Sequence, residues 1–327
     1  MVDVATPVIL DVDTGIDDAF GLLYAIAQPS VDLLGVSSVA GNVDLQKATR
    51  NTRAVLALGG RGDIPVWPGA VAPILHAPDD ASIVHGTSGL GHATLPDPPA
   101  DNTPTHAIDA ILKASREHSG KLVLVATGPL TNIAAALLRD PELPRRLKRF
   151  VLMGGAFAEA GNVTPAAEFN IWHDPEAARI VFRAFGLESA APLVAVGLDV
   201  TRQTRIVEAD LAALTQRCAE LPRARDLLSF LDDAARYYFQ LMEDWYGSRH
   251  LTMHDPLAIG VAFDPTLVTT KSVTVDVEIS GELTRGMTVA DWRGLWKRGA
   301  NAEVALEVDA PRFLGSFFDA MEGLARG

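Results

Sequence analysis

The sequence predicts an α/β fold with an open, mostly parallel central sheet, helices on both faces and an antiparallel hairpin near the C-terminus. Three observations support this fold class. The strand-like runs are continuously apolar, which is typical of parallel strands buried on both faces. Helical patterns lie between these runs and supply the crossovers that parallel strands need. Near the C-terminus, apolar and polar residues alternate instead, as in a hairpin with one solvated face.

Each element follows from its own stretch of residues. The predicted strands are PVILDVD (7–13), VDLLGVSSVAG (31–41), KLVLVATG (121–128), RFVLMGGA (149–156) and PLVAVGLDVT (192–201). The predicted helices are DDAFGLLYAIAQ (17–28), DLQKATRNTRAVLALGG (44–60), PLTNIAAALLRDP (129–141), with Pro129 in its first turn, and ARYYFQLMEDWYGSRHL (235–251). Residues 272–291 form the predicted hairpin, and residues 70–105 and 156–165 are irregular loops of the kind that often carry function. Since no repeat or linker is found, we expect residues 1–327 to form a single domain.

Composition excludes several classes of protein. The 327 residues carry 28 Lys and Arg against 41 Asp and Glu, a net charge of −13, which argues against nucleic-acid binding. A single cysteine, Cys218, excludes an internal disulfide or a cysteine metal cluster. No basic, apolar leader and no apolar run long enough to cross a bilayer is found, so we expect a cytoplasmic protein without a membrane partner.

A cluster of acidic residues lies at the end of the first predicted strand, in the segment VILDVDTGIDDAF (8–20). Its four carboxylates, Asp11, Asp13, Asp17 and Asp18, would repel one another by about 4 kcal/mol for a pair 4 Å apart at an effective dielectric near 20. Favourable interaction with a helix N-terminus explains one or two acids there, but not four. A bound divalent cation explains them better, and hard oxygen ligands suit calcium or magnesium.

A second interpretation of the same loop is phosphoryl transfer. DVDTG after a strand resembles the DxDxT motif of haloacid-dehalogenase-type phosphatases, with Asp11 as nucleophile and Asp13 as general acid. Two features oppose it: a further acid pair begins the helix, and no GDxxxD-type motif follows.

Eight segments together resemble a known family, the inosine–uridine-type nucleoside hydrolases. They are DVDTGIDDA (11–19), VAGNV (39–43), HGTSGLG (85–91), ATGPLTN (126–132), MGGA (153–156), GNVTPAAEFNIWHDPEAA (161–178), MHDPLAI (253–259) and GELTRGMTV (281–289). They occur in the family's order over nearly the whole chain. The resemblance implies a Rossmann-like fold and a Ca²⁺-dependent enzyme that hydrolyses the N-glycosidic bond of ribonucleosides to ribose and free base.

The resemblance also implies roles for the acids. Asp13 is expected to be the general base that deprotonates the attacking water, and also a metal ligand. Asp18 is the expected bidentate calcium ligand, and the carbonyl of Thr127 and the carboxylate of Asp255 complete the set. Asp17 is expected to bond the ribose 2′-hydroxyl, while Asp11 supports the loop.

The tripeptide HDP occurs twice, and only the second copy matches the family's metal segment. Asp255 is therefore expected to be both a ligand and a helix N-cap, with Pro256 at the first helical position. In the first copy, Asp174 is expected to be a plain N-cap and His173 a loop or packing residue.

The sugar and base contacts are also implied by the resemblance. Asn162 and Glu168 are expected at the 5′-hydroxyl, Asn170 at the 3′-hydroxyl, Asn42 at the 2′-hydroxyl or the water, and Met153 beneath the sugar. His254 is a candidate proton donor to the leaving base, and His85 is another. For the methionine and the histidines, an ordinary packing role is the alternative.

Base preference is the least determined property. Tyr238, Met242, Trp245 and Tyr246 could form one wall, although an aromatic stripe at helical spacing is often core. A purine-specific pocket is expected to clamp the base between tryptophans, and the segment SIVHGTSG (82–89) has none. We therefore expect pyrimidine-preferring or broad inosine–uridine specificity. The alternatives are a purine-specific hydrolase and a catalytically weak nucleoside-binding protein. The resemblance further implies a homodimer or homotetramer.

Overall fold

An eight-stranded sheet forms the centre of the structure, a computed structural model that describes residues 5–79, 81–98, 105–186 and 190–327. In spatial order its strands are β3 (Val66–Pro68), β2 (Val31–Ser38), β1 (Thr6–Val12), β4 (Leu122–Ala126), β5 (Leu147–Met153), β6 (Leu193–Val196), β12 (Ala302–Val308) and β9 (Val268–Val273). All neighbours are parallel except β12 and β9. The predicted mostly parallel sheet is confirmed.

The remaining elements surround this sheet. Two small antiparallel pairs are β7 (Arg205–Ile206) with β8 (Leu251–Thr252), and β10 (Val275–Val277) with β11 (Thr288–Ala290). The helices are α1 (Ile16–Ile26), α2 (Leu45–Leu58), α3 (Ser82–His85), α4 (Ala107–Glu117), α5 (Thr131–Arg139), α6 (Leu143–Arg146), α7 (Phe169–His173), α8 (Pro175–Phe185), α9 (Leu198–Thr201), α10 (Glu208–Cys218), α11 (Ala224–Tyr246), α12 (His254–Phe263) and α13 (Ala310–Arg326), with a 3₁₀ turn at Pro265–Leu267. The pair β10–β11 confirms the predicted C-terminal hairpin.

The strand order changes direction at β1. From β1 the chain adds β2 and β3 on one side, then crosses to the other side to add β4, β5 and β6. The carboxyl ends of β1 and β4 therefore flank a topological switch point, where open α/β sheets bind their ligands. Asp13 follows β1 and Thr127 follows β4, so the fold itself brings these two residues together.

Both faces of the sheet are covered, because residues of one strand alternate between two cores. Val8, Leu10 and Val12 of β1 pack in one apolar cluster with α1, α11, α12 and α13. Ile9 packs in the other cluster, which includes residues of α4, α5 and α8. Burial on both faces explains why β1 is a continuous apolar run rather than an alternating one.

Several sequence-based boundaries are wrong. The helix predicted over 235–251 is α11, which begins at Ala224 and ends at Tyr246. The strand predicted over 192–201 ends at Val196, the last residue that pairs with β5, and Leu198–Thr201 form α9 instead. Pro129 precedes α5 rather than lying in its first turn, since Leu130 is the N-cap.

The loop predicted over 70–105 is irregular in its described part apart from α3, and residues 80 and 99–104 lie outside the described residues. Within the part of the chain that is described, no helix has the length and apolarity needed to cross a membrane.

Candidate active site

The acidic loop joins β1 to α1 and is held in a tight turn by Gly15. This glycine is the N-cap of α1, and its N–H donates to Asp18 Oδ2 at 2.9 Å. A Cβ at Gly15 would lie 2.5 Å from Nδ1 of His85, so only glycine allows this approach. Asp17 and Asp18 consequently lie in the first helical turn, as predicted, where the helix dipole favours negative charge.

Asp255 joins these acids from α12. Oxygen atoms of Asp17, Asp18 and Asp255 all lie within 4.8 Å of one another, and all three side chains are buried. Asp255 is not the N-cap that the sequence predicts, and Pro256 is the third helical residue rather than the first, because α12 begins at His254. Met253 holds the N-cap position with its N–H bonded to Thr204, and the Asp255 carboxylate faces the other acids from the first turn.

Polar neighbours orient two of the acids. Asp18 accepts hydrogen bonds from Asn42 Nδ2 at 3.0 Å and from Thr127 Oγ1 at 2.9 Å. Asp13 Oδ2 accepts the backbone N–H of Asn42 at 2.7 Å. Asp13 Oδ1 is buried and accepts no hydrogen bond from the described residues. One oxygen of Asp13 is therefore available to another partner.

The electrostatics of the cluster are unfavourable in the protein alone. Burial raises the pKa of Asp17 to about 7, and the charge of Asp18 contributes to that rise. The pKa values of Asp13 and Asp255 are raised well above their usual range, first by burial and then by the neighbouring acids. Among the described residues, no lysine or arginine forms an ion pair with these carboxylates. Nδ1 of His85 lies 4.0 Å from Asp17 Oδ1, but this ring carries a positive charge only when it is protonated.

The residues present suit a divalent metal ion. Clustered carboxylates, a free oxygen on Asp13 and the strand-end carbonyl of Thr127 are the hard oxygen donors that Ca²⁺ and Mg²⁺ take in proteins. A positive ion would also offset the repulsion that raises the pKa values of these acids. The buried acidic cluster therefore has the chemistry to hold a divalent metal ion.

Asp11 lies just beneath this cluster in β1. Its Oδ1 accepts from Ser37 Oγ at 2.5 Å and from Asn132 Nδ2 at 2.8 Å, whereas its Oδ2 is buried without a partner in the described structure. Burial raises the pKa of Asp11 to about 7, although both hydrogen bonds lower it. These contacts tie Asp11 to β2 through Ser37 and to α5 through Asn132.

Two histidines line the cavity beside the acids, each with Nδ1 engaged. Nδ1 of His85 accepts the N–H of Ile16 at 3.0 Å, and Nδ1 of His254 lies 2.7 Å from Thr201 Oγ1. Burial lowers the pKa of His85 to about 4 and is the main cause that lowers the pKa of His254 to about 3. Both rings are therefore neutral near pH 7.

The predicted sugar-binding residues converge on the same cavity of about 310 Å³, a volume at the lower end for small-molecule sites. These sugar-binding residues are Asn42, Met153, Asn162, Glu168 and Asn170. The same cavity is lined by residues predicted for the metal, the 2′-hydroxyl or the base, namely Asp17, His85, Thr127, His254 and Asp255. The structure thus brings together residues that lie far apart along the chain.

Glu168 and Asn170 are oriented by the start of α7. Glu168 is its N-cap, with carboxylate oxygens that accept the N–H groups of Asn170, Ile171 and Gly155, while burial raises its pKa. Asn170 Nδ2 donates to the carbonyl oxygens of Thr127 at 2.7 Å and Met153 at 3.1 Å. This leaves Asn170 Oδ1 as an acceptor for a hydroxyl group.

The predicted aromatic wall is only partly in the cavity. Tyr238 and Trp245 of α11 line it. Met242 is buried in the core, and Tyr246 lies outside the cavity lining with 66% of its surface exposed. At helical spacing one face of α11 packs inward, so neighbouring residues cannot all reach the cavity.

Phe169 and Trp172 also line the cavity, although no role for them was predicted from the sequence. Both flank Asn170 in α7, within the segment that supplies the sugar-binding residues. Their aromatic character beside that motif was the available signal. With Trp245, the cavity has two tryptophans, so the lack of tryptophan in segment 82–89 is no argument against a purine-specific pocket.

The first HDP segment forms no part of this cavity lining. Asp174 is the N-cap of α8, accepting the N–H of Ala177 at 3.0 Å, and it also accepts from Thr131 Oγ1 at 2.7 Å. His173 is buried at the end of α7. The two residues thus occupy the capping and packing positions that the sequence predicts.

Comparison with known proteins gives the same assignment. The profile of the family described as inosine-uridine preferring nucleoside hydrolase matches residues 8–315. The pyrimidine-specific ribonucleoside hydrolase RihA of Shewanella woodyi is 38% identical over 320 residues, covering 98% of this chain and 99% of that protein. The inosine-uridine preferring nucleoside hydrolase of Leishmania major is 37% identical over 321 residues, covering 96% and 97%.

A solved structure is also similar. The purine-preferring ribonucleoside hydrolase from Gardnerella vaginalis superposes with a TM-score of 0.90 at 35% identity, covering 98% of this chain and 99% of that one. These matches span the full fold and include the segments that form the acidic cavity. The chain therefore belongs to the inosine-uridine preferring nucleoside hydrolase family and is an N-glycosyl hydrolase that acts on ribonucleosides.

Proposed function

We propose that this enzyme is Ca²⁺-dependent, with Asp13, Asp18, Asp255 and the Thr127 carbonyl as the metal ligands. The observation that carries the proposal is the buried group of Asp17, Asp18 and Asp255, which has no lysine or arginine partner in the described structure. Asp13 adds a buried oxygen without a hydrogen bond and interacts with Asp18. Oxygen donors of this kind favour calcium over softer metals. When bound, calcium would supply positive charge that polarises hydroxyl groups and water held in the cavity.

The roles that we propose for the surrounding residues are those that the family resemblance implies. Asp13 accepts the proton of the water that attacks C1′, because its free oxygen needs a partner. Asp17 accepts from the 2′-hydroxyl and Asn170 from the 3′-hydroxyl. The acidic cleft favours positive charge that develops on the sugar as the C1′–N bond breaks.

The remaining polar residues bind the other parts of the sugar. Asn162 and Glu168 contact the 5′-hydroxyl, and Asn42 contacts the 2′-hydroxyl or the water. Met153 packs beneath the ring. An analogue without the 2′-hydroxyl would leave Asp17 and the metal without a partner, so we expect ribose to be preferred over deoxyribose.

We propose broad inosine–uridine specificity for the base. Tyr238 and Trp245 supply one wall, Trp172 offers a further aromatic surface, and the rings of His85 and His254 face the same cavity. Aromatic rings stack on purines and pyrimidines alike, because every base has a flat π-face and stacking depends little on its polar groups. The similar proteins named above include both pyrimidine-specific and purine-preferring enzymes.

The test is ribose release from uridine, cytidine, inosine and adenosine, with and without a calcium chelator. We expect kcat/KM for uridine and inosine within about tenfold of each other, which is less than about 1.4 kcal/mol, and loss of both activities on chelation. Activity on adenosine alone would contradict the specificity. Tight nucleoside binding without ribose release would indicate a binding protein, and full activity in chelator would contradict the metal.

We further propose that residues 1–327 form one domain that assembles as a homodimer or homotetramer in the cytoplasm. Two apolar clusters share one sheet, which supports a single folding unit. Light scattering of the purified protein measures the assembly, and a monomer at micromolar concentration would contradict it. Cell fractionation tests the compartment.

A further inference from the structure

A hydrogen bond from α9 holds one ring nitrogen of His254. Nδ1 of His254 lies 2.7 Å from Oγ1 of Thr201, and Thr201 is fully buried. The residue reaches this place because the strand that the sequence predicts through Thr201 ends early and turns into a helix. The other ring nitrogen, Nε2, forms no hydrogen bond with the described residues, and the ring lines the substrate cavity.

The direction of this bond decides the tautomer of His254. If Nδ1 carried the hydrogen, Thr201 Oγ1 would accept it, and its own hydroxyl hydrogen would be buried without an acceptor among the described residues. If Thr201 donates instead, the hydroxyl hydrogen and the Nδ1 lone pair satisfy each other. The second arrangement is favoured, since burying an unpaired donor is costly.

We propose that Thr201 is a positioning residue that donates to His254 Nδ1 and so fixes the Nε2–H tautomer of a ring that lines the substrate cavity. His254 then donates a hydrogen bond to the base and, unlike the proton donor expected from the sequence, keeps its proton. As the C1′–N bond breaks, its electron pair passes to the base, which takes a proton from solvent, while the proton of the attacking water passes to Asp13. The inference rests on the proposed function of this cavity.

The second histidine supports this interpretation independently. The backbone N–H of Ile16 can only donate, so Nδ1 of His85 must accept, and its hydrogen lies on Nε2. A side chain and a backbone group thus fix the same tautomer in two histidines of one cavity. The site presents two N–H donors suited to a base that leaves with negative charge.

Matched variants of Thr201 test the role in catalysis. Thr201→Val keeps the shape but removes the hydroxyl, whereas Thr201→Ser keeps the hydroxyl. We expect Thr201→Val to lower kcat for uridine and inosine by about 10- to 100-fold, as loss of an orienting partner does in other enzymes. Since p-nitrophenolate leaves without such help, kcat for p-nitrophenyl riboside should change by less than about threefold. Thr201→Ser should resemble the parent on all three substrates.

An equal loss on all three substrates would show a merely structural role for Thr201, and no loss on any of them would also overturn the proposal.

¹⁵N NMR of the imidazole groups gives a readout without turnover. We expect an unprotonated Nδ1 and a protonated Nε2 for His254 at neutral pH, and a mixture in Thr201→Val. A protonated Nδ1 in the parent would overturn the assignment. If the parent releases no ribose from any substrate, the proposed function fails, while the spectrum still tests the tautomer.

Discussion

One partly buried acid, Asp276, and the buried acids at the switch point lie in opposite electrostatic surroundings. Asp276 of β10 is surrounded by positive charge: Arg183 and Arg298 donate to it at 3.1 and 3.2 Å, and Arg179 lies 3.4 Å away. Burial raises the pKa of Asp276, but the hydrogen bonds lower it more, so the net shift is downward. At the switch point, the acids face one another and their pKa values are raised.

The difference separates an acid that the protein neutralises itself from acids that need another partner. A carboxylate surrounded by arginines has its negative charge balanced within the fold, so its contribution is to stability. The acids at the switch point have no arginine partner in the described structure, so their repulsion destabilises the fold unless a bound cation offsets it. This contrast, rather than the number of acids, marks the candidate active site.

The largest expected effect is on turnover. Asp13→Asn keeps the shape of the side chain but cannot accept the proton of water, so we expect kcat to fall by about 10²- to 10⁴-fold, the usual contribution of a general base. Asp276→Asn makes the same chemical change at the paired acid and is the control, with kcat expected to be unaltered. The measurement is ribose release from uridine. If Asp13→Asn turns over nearly as fast as the unsubstituted enzyme, Asp13 is not the general base.

The second prediction concerns stability in the presence of metal. At about 100 times its Kd, calcium should stabilise the parent protein against thermal unfolding by about 2.7 kcal/mol, because it binds only the folded state. Asp18→Asn should lose most of this stabilisation, whereas Asp276→Asn should retain it. The measurement is Tm with calcium and with chelator, and an equal rise in all three proteins would indicate nonspecific binding.

A smaller effect is expected at the base. Trp172→Leu and Trp245→Leu each remove an aromatic face worth about 1 kcal/mol, which corresponds to roughly a fivefold higher KM. Trp296→Leu is the control, since Trp296 is partly exposed and does not line the cavity. Steady-state kinetics with inosine and uridine measure the effect. An unchanged KM in both cavity variants would mean that neither tryptophan contacts the base.

The smallest effect is the pH dependence of the paired acid. Because the pKa of Asp276 is lower in the folded protein than in the unfolded chain, its contribution is present at neutral pH and is lost as the pH falls below about 4. We expect Asp276→Asn to lower the free energy of unfolding by about 1 kcal/mol or less at neutral pH, with the difference vanishing at low pH. Urea denaturation at several pH values measures it, and a larger difference in acid would contradict the sign.

The amino-acid sequence was informative where a chemical signal is local. The acid loop lies between one strand and one helix, so Asp13, Asp17 and Asp18 could be located from the order of residues alone. Continuous apolar runs likewise predicted the parallel strands, because burial on both faces leaves that pattern.

Features that depend on distant packing could not be predicted in this way. Trp172 reaches the cavity from a short helix, and nothing in its own residue type distinguishes it from a core aromatic. Thr201 contacts His254 only because the sheet pairing ends at Val196, a boundary that an apolar run does not mark. The N-cap position of Met253 rather than Asp255 similarly depends on a hydrogen bond to Thr204.

The most direct test of this account is a crystal structure of the enzyme grown with calcium, with the ion identified by its anomalous scattering. We predict one calcium ion per chain, coordinated at about 2.3–2.6 Å by Asp13, Asp18, Asp255 and the Thr127 carbonyl. A cluster that binds no cation under these conditions, with its carboxylates bonded to lysine or arginine instead, would contradict the account.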